Sequence, residues 1–219
     1  MRVLVGLECS GIIRDAFIAL GHDAISCDLK DTQRSGPHYK GDIFDIIDDG
    51  FDLAIFHPVC TYLTVTANKW LKDQPERKSG ALVGEARRNA RLESIEFFMR
   101  LANANIDKIC LENPVGCMSS VWRKPDQIIQ PMQFGHPEPK KTCLWLKGLP
   151  LLVPTHDDVE GDWHITASGK RLPKWYAYAD KSKGQEHRAE IRSQTFQGVA
   201  DAMASQWSKQ TPVTQTKLF

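Results

Sequence analysis

The sequence has no long apolar run, no pair of closely spaced cysteines and no surplus of charge of either sign, and each absence removes a class of answer. Without a stretch of about 20 apolar residues there is no candidate membrane span. The opening Met-Arg-Val-Leu-Val-Gly passes straight into a strand pattern without the zones of a secretion signal, so a cytoplasmic location is expected. The six cysteines (Cys9, Cys27, Cys60, Cys110, Cys117, Cys143) are widely scattered, which favours reduced thiols over a disulfide framework. With no CxxC pair, a zinc site drawn from His57, Cys60, Cys117 and His136 is disfavoured, and no metal is expected. A formal net charge of +1 supplies no global field for nucleic acid, so such a partner has to be held by local basic patches. Internal repeats are lacking too. What is present is the balance of an ordinary folded protein, 42% hydrophobic and 25% charged over 219 residues, enough for one core and a tail.

Strand and helix patterns alternate along the chain. Arg2 to Leu7 is a short apolar run of the kind found in buried parallel strands, followed by a small-residue turn and a helical pattern to Leu20. Asp23 to Cys27 reads as a second strand closed by Asp28, Gly41-Asp42-Ile43 as a short edge element, and Phe51 to Phe56 as a strong strand ending at His57-Pro58. The polar stretch from Trp70 to Gly84 predicts a surface loop. Glu85 to Ala104 predicts a helix through Ala90, Leu92, Ile95, Phe98 and Leu101. Lys108 to Glu112 and Thr142 to Leu146 are further strands, and Thr195 to Trp207 is a closing helix. This rhythm implies an α/β fold with a doubly wound Rossmann-like sheet. We expect a core over residues 1–147, an irregular insertion over 148–190, a closing helix within 191–208 that returns to the core, and a flexible tail over 209–219.

In open α/β sheets ligands bind at the carboxyl ends of the strands, where Glu8, Asp28, Cys60 and Glu112 all fall. An acid closing the second strand suits a ribose hydroxyl pair, though Asp28 taken alone reads more readily as a loop residue or helix cap. Gly11 before the first helix lets a ligand approach the backbone. Cys60 follows a proline turn, has Thr61 and Thr64 as polar neighbours, and stands ahead of a possible helix whose N-terminal field would favour the thiolate, the attacking species in covalent catalysis. The alternative for Cys60 is a small buried apolar residue. What tips the balance is Glu112-Asn113-Pro114, a second strand end able to share its pocket if the two strands are neighbours.

These motifs, in this order, resemble the DNA cytosine-C5 methyltransferases, most closely the small phage-type members that lack a full target recognition domain. Leu7-Glu8-Cys9-Ser10-Gly11 with Phe17 resembles the S-adenosylmethionine loop, Asp28 the ribose-binding acid and Asp42 the adenine-side acid. Pro58-Val59-Cys60 resembles the Pro-Pro-Cys nucleophile loop and Glu112-Asn113-Pro114 the Glu-Asn-Val motif. Lys140-Lys141-Thr142 resembles the basic strand that follows, and Ser193 to Ala200 the closing Gln-x-Gly-Asn-Ser-Val segment, with Gly198 at its glycine. The resemblance implies a methyltransferase fold and S-adenosylmethionine as cofactor, held by Glu8, Cys9, Ser10, Gly11, Asp28, Asp42, Pro58 and Gly198. It implies catalysis by Cys60, Glu112, Lys140 and Lys141. Cys60 adds to C6 of the cytosine, and Glu112, its pKa raised in a dry pocket, donates to N3. Lys140 or Lys141 holds the base O2 or a phosphate, and the base is flipped out of duplex DNA to reach the thiol.

Three positions depart from the pattern: Val59 for the second proline, Pro114 for valine, and Val199 after Gly198. The interval before the closing segment is also short. It interleaves Trp163, His164, Lys170, Arg171, Lys174, Trp175, Tyr176 and Arg188, which suits either stacking and phosphate contact or a solvated loop whose aromatics cover the core. Substrate contacts are expected from Thr61, Asn113, Arg171, Lys174, Trp175 and Arg192, and the DNA partner, single strands included, is expected to be read with little sequence specificity. Alternative readings are the same thiol chemistry on RNA, a free pyrimidine nucleotide or a modified base, or a catalytically degenerate relative that binds nucleic acid or protein.

Overall fold

The computed structural model describes residues 1–157, 159–178 and 195–208, without the side chains of Ala67, Trp175 and Tyr176. Arg188, Arg192 and the tail expected at 209–219 lie outside the described residues. Seven strands form the main sheet: β1 (Arg2–Gly6), β2 (Asp23–Asp28), β3 (His38–Lys40), β4 (Leu53–Phe56), β5 (Lys108–Pro114), β6 (Gln127–Ile129) and β7 (Thr142–Lys147). Their order is β3-β2-β1-β4-β5-β7-β6, and every pairing is parallel except those of β7 with β5 and β6. The chain is therefore an α/β protein with a doubly wound Rossmann-like sheet, and the direction of winding reverses between β1 and β4.

Period-2 alternation divides the core into two layers. Val3, Val5, Leu53, Ile55 and Cys110 face one side, where they meet α1 (Ile12–Ala19) and the C-terminal helix. Leu4, Ala54, Phe56, Ile109 and Leu111 face the other, with Phe98 and Leu101 of α2 (Gly84–Ala102). The central strands are apolar on both faces because both faces are covered.

Three expectations need correction. The edge strand is His38–Lys40, and Gly41-Asp42-Ile43 instead leads into a 3-10 turn over Ile43–Asp45 that the Asp42 carboxylate caps from the Phe44 N–H at 3.0 Å. On α2, Phe98 and Leu101 are buried but Leu92 is 64% exposed. The inward stripe runs through Arg87, Arg91, Ile95 and Phe98 at helical spacing, and Leu92 stands a residue to the side of it.

The segment from Trp70 to Gly84 is the expected surface loop over residues 72–83, its first two residues closing a 3-10 helix over Val65–Leu71, and Arg88 of α2 holds it at the Leu71 carbonyl and the Asp73 carboxylate. The insertion is not irregular throughout. It contains a hairpin of β8 (Trp163–Ile165) and β9 (Arg171–Pro173), then a short α4 (Lys174–Ala177). Beyond the undescribed residues, α5 (Gln197–Trp207) packs on α1, its Val199, Ala200, Met203 and Trp207 in the core. No helix among the described residues is long and apolar enough to cross a membrane.

Candidate active site

The loops of the sheet's carboxyl edge differ in how they are held. After β1 the Glu8 carboxylate turns back on its own loop, 7% exposed, accepting from the N–H groups of Ser10 at 2.8 Å and Gly11 at 3.2 Å and from the Ser10 hydroxyl. Gly11 adopts φ 73°, open to glycine at little cost, and a Cβ there would stand 2.6 Å from the Arg14 guanidinium. Arg14 itself is fully buried. It bonds Ser26 Oγ at 3.1 Å, Thr32 Oγ1 at 3.2 Å and the Arg34 and Ser35 carbonyls at 3.2 Å each, so it knits α1 to β2 and to the loop leading to β3. The spacing of apolar residues around it gave no hint of that role. Asp28 is half-buried at the end of β2, where one carboxylate oxygen accepts from the Lys30 N–H at 2.9 Å.

Across the reversal point the contacts run between elements. β4 and β5 are parallel neighbours with Phe56 opposite Leu111, so the next residues, His57 just past β4 and Glu112 still within β5, stand side by side. Both point to the α5 face by strand alternation, and His57 Nδ1 lies 3.0 Å from Glu112 Oε2 with side chains 10% and 19% exposed. Asn113 points the other way. It is 2% exposed, and its Nδ2 donates to the Pro58 carbonyl at 2.7 Å, which fastens the Glu-Asn strand end to the loop of Cys60. Asn113 is thereby occupied in holding the loop, where a substrate contact was expected.

The Cys60 loop is closed by hydrogen bonds from the Leu63 and Thr64 N–H groups to the Cys60 carbonyl, both 3.0 Å. A turn follows, and the helix expected after the loop is the 3-10 helix Val65–Leu71. Two arginines of α2 grip this stretch from the side: Arg87 Nη2 donates to the Thr61 carbonyl at 2.9 Å and Arg91 Nε to the Tyr62 carbonyl at 2.7 Å. Thr61 is exposed and Cys60 half-buried. None of the six cysteines is in a disulfide. Burial raises the thiols of Cys9, Cys27, Cys110, Cys117 and Cys143, that of Cys27 to about 12, which keeps these five protonated and poorly nucleophilic.

Glu112 faces a cleft with ≈ 340 Å³ of empty space, open solvent included, bounded by His57, Lys140, Thr142, Phe196 and Val199 among others. Burial pushes the Glu112 carboxyl up. The hydrogen bond and charge of His57, the Lys140 ammonium and the Thr142 hydroxyl outweigh that and hold it below its ordinary value of 4.5. The raised pKa anticipated for Glu112 is thus reversed, because burial here comes with partners. Lys140 lines the cleft, with Nζ 5.7 Å from the Phe196 ring, whereas Lys141 is exposed and does not line it. Cys60 is not among the cleft-lining residues either. It stands on the adjoining loop.

Gly198, expected to bind cofactor, sits where a Cβ would come within 1.9 Å of the Phe134 carbonyl oxygen, and its N–H bonds His136 Nε2 at 3.0 Å. Its small size lets the start of α5 seat against the turn at 134–136. In the insertion Arg171 stacks over Trp163 at 4.5 Å and Lys174 pairs with Asp162 at 3.1 Å, so these cations are engaged within the hairpin region. Of Trp175 only the backbone is described. Sequence reasoning missed His57 as the partner of Glu112, although its place directly after β4, level with Glu112 near the end of β5, was a signal available if those two strands are neighbours.

No family model matches this chain, and no curated protein matches it. Among solved structures, a protein described as a DNA modification methyltransferase encoded within an E. coli prophage aligns at 14% identity and a TM-score of 0.45, over 73% of this chain and 53% of its own. A triple mutant of Spodoptera frugiperda DNMT2 aligns at 15% identity and a TM-score of 0.39, over 79% of this chain and 55% of its own. This chain spans about half the length of each of these two structures.

Proposed function

We propose that this protein transfers a methyl group from S-adenosylmethionine to C5 of cytosine in DNA through a covalent Cys60 adduct at C6. The observation that carries the reading is the clamp between strand ends: parallel β4 and β5 bring Pro58-Val59-Cys60 beside Glu112-Asn113-Pro114, and the 2.7 Å bond from Asn113 to Pro58 fixes one to the other. A thiol and a carboxyl held at one edge of the sheet are what addition to a pyrimidine requires. C5 becomes nucleophilic only after a thiolate adds at C6, and N3 must take a proton as charge develops.

The β1–β3 side fits the cofactor in chemistry. Asp28 keeps one oxygen beyond its own turn for a ribose hydroxyl, and Cys9, Ser10 and Gly11 offer a tight backbone loop ahead of α1. Asp42 follows β3, next to β2, and Pro58 follows β4, next to β1, while Glu8 acts through the loop it shapes. When bound, S-adenosylmethionine supplies an electrophilic methyl carbon. Cys60 supplies the thiolate, Glu112 and Lys140 face the polar edge of the base, and Arg87 and Arg91 keep the Cys60 loop in place. Thr61, Lys141, Arg171, Lys174, Trp175 and Arg192 remain candidate contacts to the nucleic acid.

Incubation with tritiated S-adenosylmethionine and DNA should place label in 5-methylcytosine, identified by mass spectrometry of the nucleosides. Cys60→Ala should abolish transfer, and transfer that survives this change excludes the covalent route. Duplex DNA, single-stranded DNA, RNA and free nucleotide compared side by side assign the acceptor.

A further inference from the structure

Glu112 faces a difficulty in the proposed chemistry. To protonate N3 it must hold a proton, yet its surroundings favour the carboxylate. The neighbouring imidazole resolves this. His57 Nδ1 and Glu112 Oε2 are 3.0 Å apart, a distance at which one proton is shared between them, and the ring is nine-tenths buried. Its other nitrogen, Nε2, is buried with no hydrogen-bond partner among the described residues. An orphaned imidazole nitrogen beside a cleft is costly unless something that enters the cleft meets it.

We infer that His57 is the positioning residue and proton reservoir of Glu112: the pair enters the reaction as one singly protonated unit, and the proton that reaches N3 of the base is the one His57 holds. This rests on the cytosine-C5 reading above. The balance is simple. As the Cys60 sulfur bonds C6, N3 gains a proton and the pair loses one, leaving neutral imidazole and carboxylate. When the C6–S bond breaks, N3 returns the proton to the pair. Because the two groups are coupled, the pH dependence belongs to the pair and to neither residue alone. The other titratable groups facing it are Lys140, whose charge favours carboxylate, and the buried thiols Cys110 and Cys143, which feel the Glu112 charge. Val199 and Met203 of α5 face the cleft without a charge.

The test is the pH profile of methyl transfer in wild type and His57→Asn, which retains a donor for Oε2 but no titrating proton. Wild type should lose activity on its basic limb as the pair gives up its proton. In His57→Asn the required proton must sit on Glu112 itself, so that limb moves to lower pH and the rate at neutral pH falls on the order of a hundredfold. An unmoved limb with only a lowered plateau would overturn the inference in favour of a purely structural histidine. A second measurement is independent of turnover: the His57 Nδ1 resonance in nitrogen NMR should differ between Glu112→Gln and wild type at the same pH, because its hydrogen bond to the carboxylate is lost. An unchanged resonance overturns the coupling. Failure of the methyltransferase reading is recognised separately, by wild-type protein that transfers no methyl group while the NMR coupling persists.

Discussion

The two halves of the sheet's carboxyl edge are built on different principles. On the β1–β3 side the acidic groups are satisfied within their own loops: Glu8 by Ser10 and Gly11, Asp28 by Lys30, Asp42 by Phe44. Each of these bonds spans two or three residues, although Arg14 reaches across to the 32–37 loop and Asp31 pairs with Lys40. On the β4–β5–β7 side the groups are satisfied by residues far away in the chain: His57 with Glu112, Asn113 with Pro58, Arg91 with Tyr62, Gly198 with His136. Locally closed loops tolerate change one at a time. Groups that close on one another across elements transmit it.

The comparison predicts a ranking of mutational effects. The largest belongs to Gly198→Ala, where the new Cβ meets backbone oxygen, which cannot swing aside, so stability should fall by about 3 kcal/mol in urea unfolding as α5 lifts from the 134–136 turn. A loss near zero would show that this closure is not tight. Asn113→Ala should come next. The bond to Pro58 is lost, but the buried Asn113 Oδ1, which has no partner among the described residues, goes with it, so the net cost should be about 1 kcal/mol. Methyl transfer should fall by more than that cost explains, because the Cys60 loop is released, and a comparison of kcat with unfolding midpoint separates the two. The smallest effect is expected for Asp42→Ala, which removes only the cap of a short turn and should cost at most about 1 kcal/mol without altering the reactivity of Cys60 toward a thiol reagent. If Asp42→Ala disturbed that reactivity as much as Asn113→Ala, the distinction between the two halves would collapse.

The same contrast explains what was readable beforehand. Strands β1, β2, β4 and β5 announced themselves as apolar runs because a strand covered on both faces has no polar side to show. The candidates Glu8, Asp28, Cys60 and Glu112 were visible because strand ends are where an open sheet exposes chemistry. Leu92 was misread because an apolar residue fits a helical pattern that tolerates one step of error, and only the packed sheet shows that Arg87 and Arg91 hold the inward stripe. Glu112 was misread in the direction of its shift, since burial could be inferred from the chain but the partner that offsets it could not.

By itself, then, the sequence determined the central strands and main helices, the α/β class and the residue types at the strand ends, all of which depend on short-range periodicity and local turn chemistry. Tertiary structure decided that His57 meets Glu112, that Asn113 holds the Cys60 loop and that Gly198 admits α5. Those depend on strand order and register, which bring residues dozens of positions apart within hydrogen-bond distance and leave no periodic trace along the chain.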